Sequence, residues 1–333
     1  MIVVPGSISN MIRSFANFYI KFCFFALMIS FPHKTKQFGV FTIKLLIVIG
    51  AFYFIYSQIS NKPELNWNDS KRFIIEKTSC FEFIIILLFS IGNRFVEIVK
   101  WKNLVSSISK ISLIESTEQV LSALTLGVFT PYGIGEYAGK TLYYPKSNTK
   151  KIILLNLICN GIQMVAVVFF GIISFFLLGY VKWGLLLTFV ILAIIICLYI
   201  VIRFKTKLNF IRTYIHSFSF IPNSIHRKNI YLGIIRYLIL SHQFYFLFIT
   251  FDIQIPYLTI ISTISIIYLL ANSLPSFQLF DFAIKGSVAV YFFGQLGINE
   301  WIVVFISTLM WVLNIVFPIC IGSFFVIKFK SKW

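Results

Sequence analysis

Charge is what this chain has least of. Acidic and basic residues make up 12% of its 333 positions, where a soluble domain carries about 25%, so an ordinary water-facing surface is excluded. Acids are the scarcer sign, with 11 Asp and Glu against 29 Lys and Arg. Cysteine is also sparse. Cys23, Cys80, Cys159, Cys197 and Cys320 form no CxxC and no regular spacing, which excludes a disulfide framework and a thiolate metal site and leaves small apolar roles. The four histidines are scattered and form no ligand cluster, so no metal or cofactor is expected. Neither a nucleophile triad nor paired catalytic carboxylates emerge, and an enzyme is not expected. The run Gly135 to Thr141 ends like a phosphate-binding loop, but Ile134 stands where that motif needs glycine and no strand precedes it.

What the chain has instead is apolar length. It is 59% hydrophobic with a mean hydropathy of +0.89, and several stretches reach the roughly 20 apolar residues that cross a bilayer core about 30 Å thick. The fold class is all-α: a polytopic integral membrane protein with about six full spans, at 41–60, 80–100, 152–179, 183–203, 231–250 and 301–327, and two broken hairpins at 117–146 and 256–297. Residues 1–40 read as an N-terminal interfacial segment, with Arg13, Asn17 and Lys21 forming one polar stripe. Residues 41–328 form a single membrane domain and 329–333 a basic tail. Neither end is long enough for a soluble catalytic domain.

The net charge of +18 raises nucleic acid as a partner, but its distribution argues against one. Segments 1–44, 100–117, 146–151, 203–230 and 328–333 hold 20 Lys and Arg, while 61–79 and 180–182 hold 5. That is the positive-inside pattern. It sets both termini in the cytoplasm and makes anionic lipid headgroups natural partners. The first hairpin breaks at Thr130-Pro131-Tyr132-Gly133 and the second at Asn272 to Ser276. Loop parity sends the first in from the cytoplasm and the second from outside, and it leaves open whether the second is re-entrant or spans twice. Repeat A (about 80–179) and repeat B (about 231–327) are then inverted copies of span, hairpin, span.

Each hairpin carries an acid four residues before a lysine: Glu136 with Lys140, and Asp281 with Lys285. A charge in hydrocarbon costs about 2.5–3.5 kcal/mol even on the forgiving insertion scale, so two matched pairs in matched settings read as a built site. Thr130 can cap and Pro131 can open a helix at membrane depth, whose free N–H groups favour an anion. A salt bridge that merely lets a broken helix sit in lipid is the plainer alternative. Asn93, Glu97 and Trp101 share a helix face flanked by Arg94 and Lys100. There, Glu97 needs a partner such as Lys140, and Lys100 and Trp101 read as interface anchors. Asn156, Asn160 and Gln163 stripe the next span, as interhelical bonds or cavity lining. Arg236 and His242 lie in the fifth span. Asn314 and Pro318 read as packing and a kink. The substrate-binding candidates are Arg94, Glu97, Thr130, Pro131, Glu136, Lys140, Asn160, Arg236, Asp281 and Lys285.

Asn93-Arg-Phe-Val-Glu97-Ile-Val-Lys100-Trp101 followed by Gly127 to Lys140 resembles the lysylphosphatidylglycerol synthase transmembrane, or flippase-like, family, with its E-x-x-K-W and T-P-x-x-x-G-E-x-x-G-[RK] segments. Leu274-Pro275, Lys285-Gly286-Ser287 and Trp311 to Gly322 resemble the second half of its compact bacterial members. Tyr132 departs from the usual Asn or Gly, and Lys140 and Lys285 stand where Arg is common, which removes a bidentate fork for phosphate. The resemblance implies a flippase-like transporter in the bacterial cytoplasmic (inner) membrane that moves an anionic, aminoacylated or polyprenyl-linked lipid between leaflets. Alternatively, the chain is a non-transporting subunit that presents lipid to an envelope-biosynthesis enzyme. The synthases' aminoacyl-transferase domain is expected to be absent, since six residues follow Ile327. A membrane-embedded lipid-modifying enzyme is disfavoured.

Overall fold

The computed structural model describes residues 79–329 apart from 129, 131–132, 204–219 and 275–279, together with Thr42, Ile49, Tyr53 and Tyr56. The interfacial segment 1–40, most of span 41–60, Pro131, Pro275 and the tail therefore lie outside the described residues. Within them the chain is all-helical, with no strand.

Helix α1 (Cys80–Val105) starts at a capping box: Ser79 Oγ accepts from the Glu82 amide and the Glu82 carboxylate accepts from the Ser79 amide. The same Ser-x-x-Glu device opens α2 (Leu113–Val128), where Ser112 and Glu115 exchange bonds of 2.7 and 3.1 Å. It satisfies two N–H groups that a helix start leaves bare. The first hairpin is α2 and α3 (Ile134–Thr141). Gly133 makes the turn between them at φ 65, a left-handed backbone that side chains resist. Then follow α4 (Thr149–Leu177) and α5 (Val181–Arg203), and α6 (Asn223–Thr250). The second hairpin is α7 (Tyr257–Ser273) and α8 (Asp281–Gln295). The last span is α9 (Glu300–Trp311), a π turn (Val312–Val316) and α10 (Phe317–Lys328).

Among the described residues, three helices are long and apolar enough to cross a membrane: Lys146–Leu177, Asn223–Thr250 and Glu300–Lys328. They overlap the expected spans at 152–179, 231–250 and 301–327, starting six, eight and one residues earlier. The hairpin arms are shorter, at 16 and 8 residues in the first and 17 and 15 in the second, against the roughly 20 a crossing needs.

The packing is interlocked. The two opening helices α1 and α6 lie against each other at the centre. Arm α2 of the first hairpin packs on α10, while arm α7 of the second packs on α4, so each hairpin leans on the closing helix of the other half. Glycine permits both approaches. Gly322 on α10 sits against the Leu121 carbonyl of α2, and Gly171 on α4 sits against Leu269 of α7. The larger apolar core joins α4, α6, α7, α8 and α9 around Phe244, Phe248 and Phe293, and a smaller one gathers Trp101, Leu104, Leu155 and Cys159.

Candidate functional site

The two acid–lysine pairs form as their spacing requires, but in different surroundings. Lys140 Nζ donates to Glu136 at 2.9 Å and to Asn156 Oδ1 at 2.6 Å, and it lies 4.5 Å from the Trp101 ring centroid. Its side chain is 1% exposed. Trp101 is itself pinned through its indole N–H to Gln119 at 2.7 Å, and Tyr144 donates to the same Gln119 oxygen. Lys140 is thus boxed between α1, α3 and α4. Lys285 bridges Asp281 at 2.5 Å with its side chain 33% exposed, and it faces a cavity.

That cavity, about 340 Å³, lies between α1, α4, α6, the second hairpin and α9. Arg94, Arg236 and Lys285 line it, with Asp281, Asn160 and Gln163. A buried polar lattice supports the two arginines. Glu97 accepts from Arg94 and, at 3.1 Å, from Arg236. Arg236 Nε also donates to Asn93 Oδ1 at 2.9 Å, and Asn93 Nδ2 donates to Asn314 Oδ1 at 2.7 Å. Asn314 donates to Gln243 at 3.0 Å, and Gln243 donates to Ser90 Oγ at 2.5 Å. Helices α1, α6 and the last helical segment are thereby tied together by buried side-chain hydrogen bonds.

The π turn gives the lattice one more acceptor. In a regular helix the N–H of residue 318 would donate to the carbonyl of Asn314. Pro318 has no N–H, and Arg94 donates to that carbonyl at 2.5 Å. The kink read from Asn314 and Pro318 is therefore also a docking point for a cation.

Four polar atoms around the cavity are buried without a hydrogen-bond partner among the described residues: Arg94 Nε, Trp311 Nε1, Ser307 Oγ and Gln163 Oε1. Two can only donate, one can only accept, and the hydroxyl can do both. Such atoms cost about 1–3 kcal/mol each when left unmade, and all four belong to residues that line this cavity.

Several sequence readings change. Glu97 takes Arg94 and Arg236 as partners rather than Lys140. Lys100 and Trp101 are both fully buried, so neither is an interface anchor. Of the Asn156, Asn160 and Gln163 stripe, Asn156 holds Lys140 while the other two line the cavity. Thr130 does serve the turn, accepting from the Gly135 amide at 2.8 Å. His242 faces Tyr257 at 3.0 Å, outside the cavity. Asn93, Gln243, Ser307 and Trp311 were missed as site residues. Asn314, expected only to pack, also lines the cavity.

No protein-family model matches the chain, and comparison with curated proteins gives no match.

Proposed function

We propose that this chain is a flippase-like membrane protein that carries the anionic head of a lipid between leaflets, with the α1–α6–α8 cavity as headgroup site. The observation that carries this reading is the convergence of Arg94, Arg236 and Lys285 on one cavity, four of whose lining residues also hold a buried polar atom with no partner among the described residues. Three cations face two acids, Glu97 and Asp281, which leaves one positive charge for an anion to neutralise. Arg94 and Arg236 offer the planar donor fork that suits phosphate, which answers the loss of arginine at 140 and 285. Lys140, boxed by Glu136, Asn156 and Trp101, serves as frame rather than as ligand contact.

In this reading six spans and two hairpins form inverted halves, 80–179 and 231–327. The reciprocal packing of α2 on α10 and α7 on α4, each through a glycine, supports that pairing of halves. The site then lies where the two opening helices meet, as in transporters built from repeats. The protein sits in a bacterial cytoplasmic membrane with both termini inside, and the resemblance to the lysylphosphatidylglycerol synthase transmembrane family agrees with lipid as cargo.

The test is leaflet-resolved exchange of a fluorescent anionic lipid in vesicles holding the purified protein. Exchange that Lys285→Gln abolishes supports the reading. Retention of lipid with no exchange by the unaltered protein would favour the non-transporting subunit instead.

A further inference from the structure

A second basic recess lies away from the inner cavity, at the end of the same α1–α6 pair. It encloses about 410 Å³ and takes Lys102 from the last turn of α1, Lys110 from the α1–α2 connection and Lys228 from the first turns of α6. Asn103 and Ser106 add an amide and a hydroxyl, and Val99, Ile111 and Leu113 add apolar surface. Asn103 donates to the Ile225 carbonyl at 3.0 Å, which fixes the two helix ends beside each other and holds their lysines in one place. None of the three lysines forms a salt bridge among the described residues, and no acid lines the recess. Lys110 and Lys228 are exposed.

We propose that this recess binds the phosphate head of an anionic phospholipid in the leaflet at the basic face, as a site separate from the inner cavity. Three converging cations with no acid to neutralise them suit a phosphate that carries at least one full negative charge. The apolar residues give the start of the acyl region a surface that a free phosphate could not use. A zwitterionic head brings its own cation into the recess and is disfavoured. Lys102 and Arg94 on α1, and Lys228 and Arg236 on α6, are each eight residues apart, about 12 Å along a helix. The recess and the cavity are therefore neighbours without sharing a residue.

The test is native mass spectrometry of the full chain in detergent, titrated with phosphatidylglycerol, phosphatidylcholine or inorganic phosphate. Phosphatidylglycerol should bind most tightly. A basic residue near an anionic head contributes enough for about a fivefold change each, so the triple Lys102→Gln, Lys110→Gln, Lys228→Gln variant should weaken binding roughly a hundredfold. Lys150→Gln with Lys151→Gln, exposed lysines elsewhere on the basic side, should leave it unchanged. The titration is repeated in a Lys285→Gln background, which removes the inner cavity's contribution, and the triple variant should weaken binding by the same factor there, so failure of the transport reading and failure of this proposal are told apart. Equal weakening by the Lys150 and Lys151 control, undiminished binding by the triple variant, or equal binding of phosphatidylcholine would overturn the site. Inorganic phosphate binding as tightly as the lipid would overturn its assignment to a lipid head.

Discussion

Lys140 donates to Asn156 at 2.6 Å as well as to Glu136, and this contact is what separates it from Lys285. The hairpins carry the same acid–lysine spacing, yet Asn156 draws the first lysine onto a neighbouring helix, whereas the second is left facing the cavity. One pair holds the fold and the other is available to a ligand.

That difference predicts opposite outcomes for matched substitutions. Lys140→Met leaves Glu136 buried and unpaired, which should cost about 3–5 kcal/mol and show as a lower melting temperature or yield in detergent. Glu136→Gln added to Lys140→Met should restore most of that loss. A double variant as unstable as the single one would show that Lys140 acts through packing on Trp101 rather than through charge.

Lys285→Gln should leave the melting temperature nearly unchanged, because its side chain is partly exposed. It should abolish exchange of a fluorescent anionic lipid in both directions, and Lys285→Arg should keep it by preserving the charge and adding donors. Wild-type exchange by Lys285→Gln would remove this lysine from the site.

Glu97 is the shared acceptor of two arginines. Glu97→Gln strands both cations and should destabilise by about 3–5 kcal/mol. Arg236→Met should cost less, since the Arg94–Glu97 pair stays balanced. A double-mutant cycle by thermal unfolding measures the coupling, and additive losses would mean the contact contributes nothing.

The interlocked glycines differ in what surrounds them. A Cβ at Gly322 would lie 2.3 Å from the Leu121 backbone carbonyl, and one at Gly171 would lie 2.7 Å from Leu269 Cδ2. A side-chain methyl can turn aside, but a helix backbone cannot without moving the helix. Gly322→Ala should therefore cost more than Gly171→Ala, toward the upper end of about 1–3 kcal/mol for overpacking. Equal melting temperatures would argue against a tight α2–α10 contact.

Topology is checked by cysteine labelling in a background without the five native cysteines. Ser147→Cys, before α4, should label from the cytoplasm, and Gln295→Cys, at the end of the second hairpin, from outside. Both positions are exposed. Labelling from one side only would sink the inverted-halves reading.

Much of the architecture was legible in the chain itself. Among the described residues, apolar length marked the three helices long enough to cross a membrane to within a few residues at most ends. Pro and Gly marked the hairpin breaks, and Gly133 takes the left-handed conformation that such a break needs. The carbonyl acceptor freed by Pro318 was legible as a kink, but not the use Arg94 makes of it. The missed residues carry no charge. Ser307 and Trp311 look like ordinary members of an apolar helix until a neighbour's cavity is known.

The sequence by itself determined what is local: helix against loop, the excess of basic residues in one set of loops, and both acid–lysine pairs, because residues four apart on a helix must face each other. Only the tertiary structure decided which pair is sealed and which is open, that Glu97 answers Arg236 from 139 positions away, and that Lys100 and Trp101 are buried rather than at an interface. Those outcomes depend on which helix faces lie together. Here that is set by glycine contacts and side-chain bonds between distant segments, which no spacing within one helix encodes.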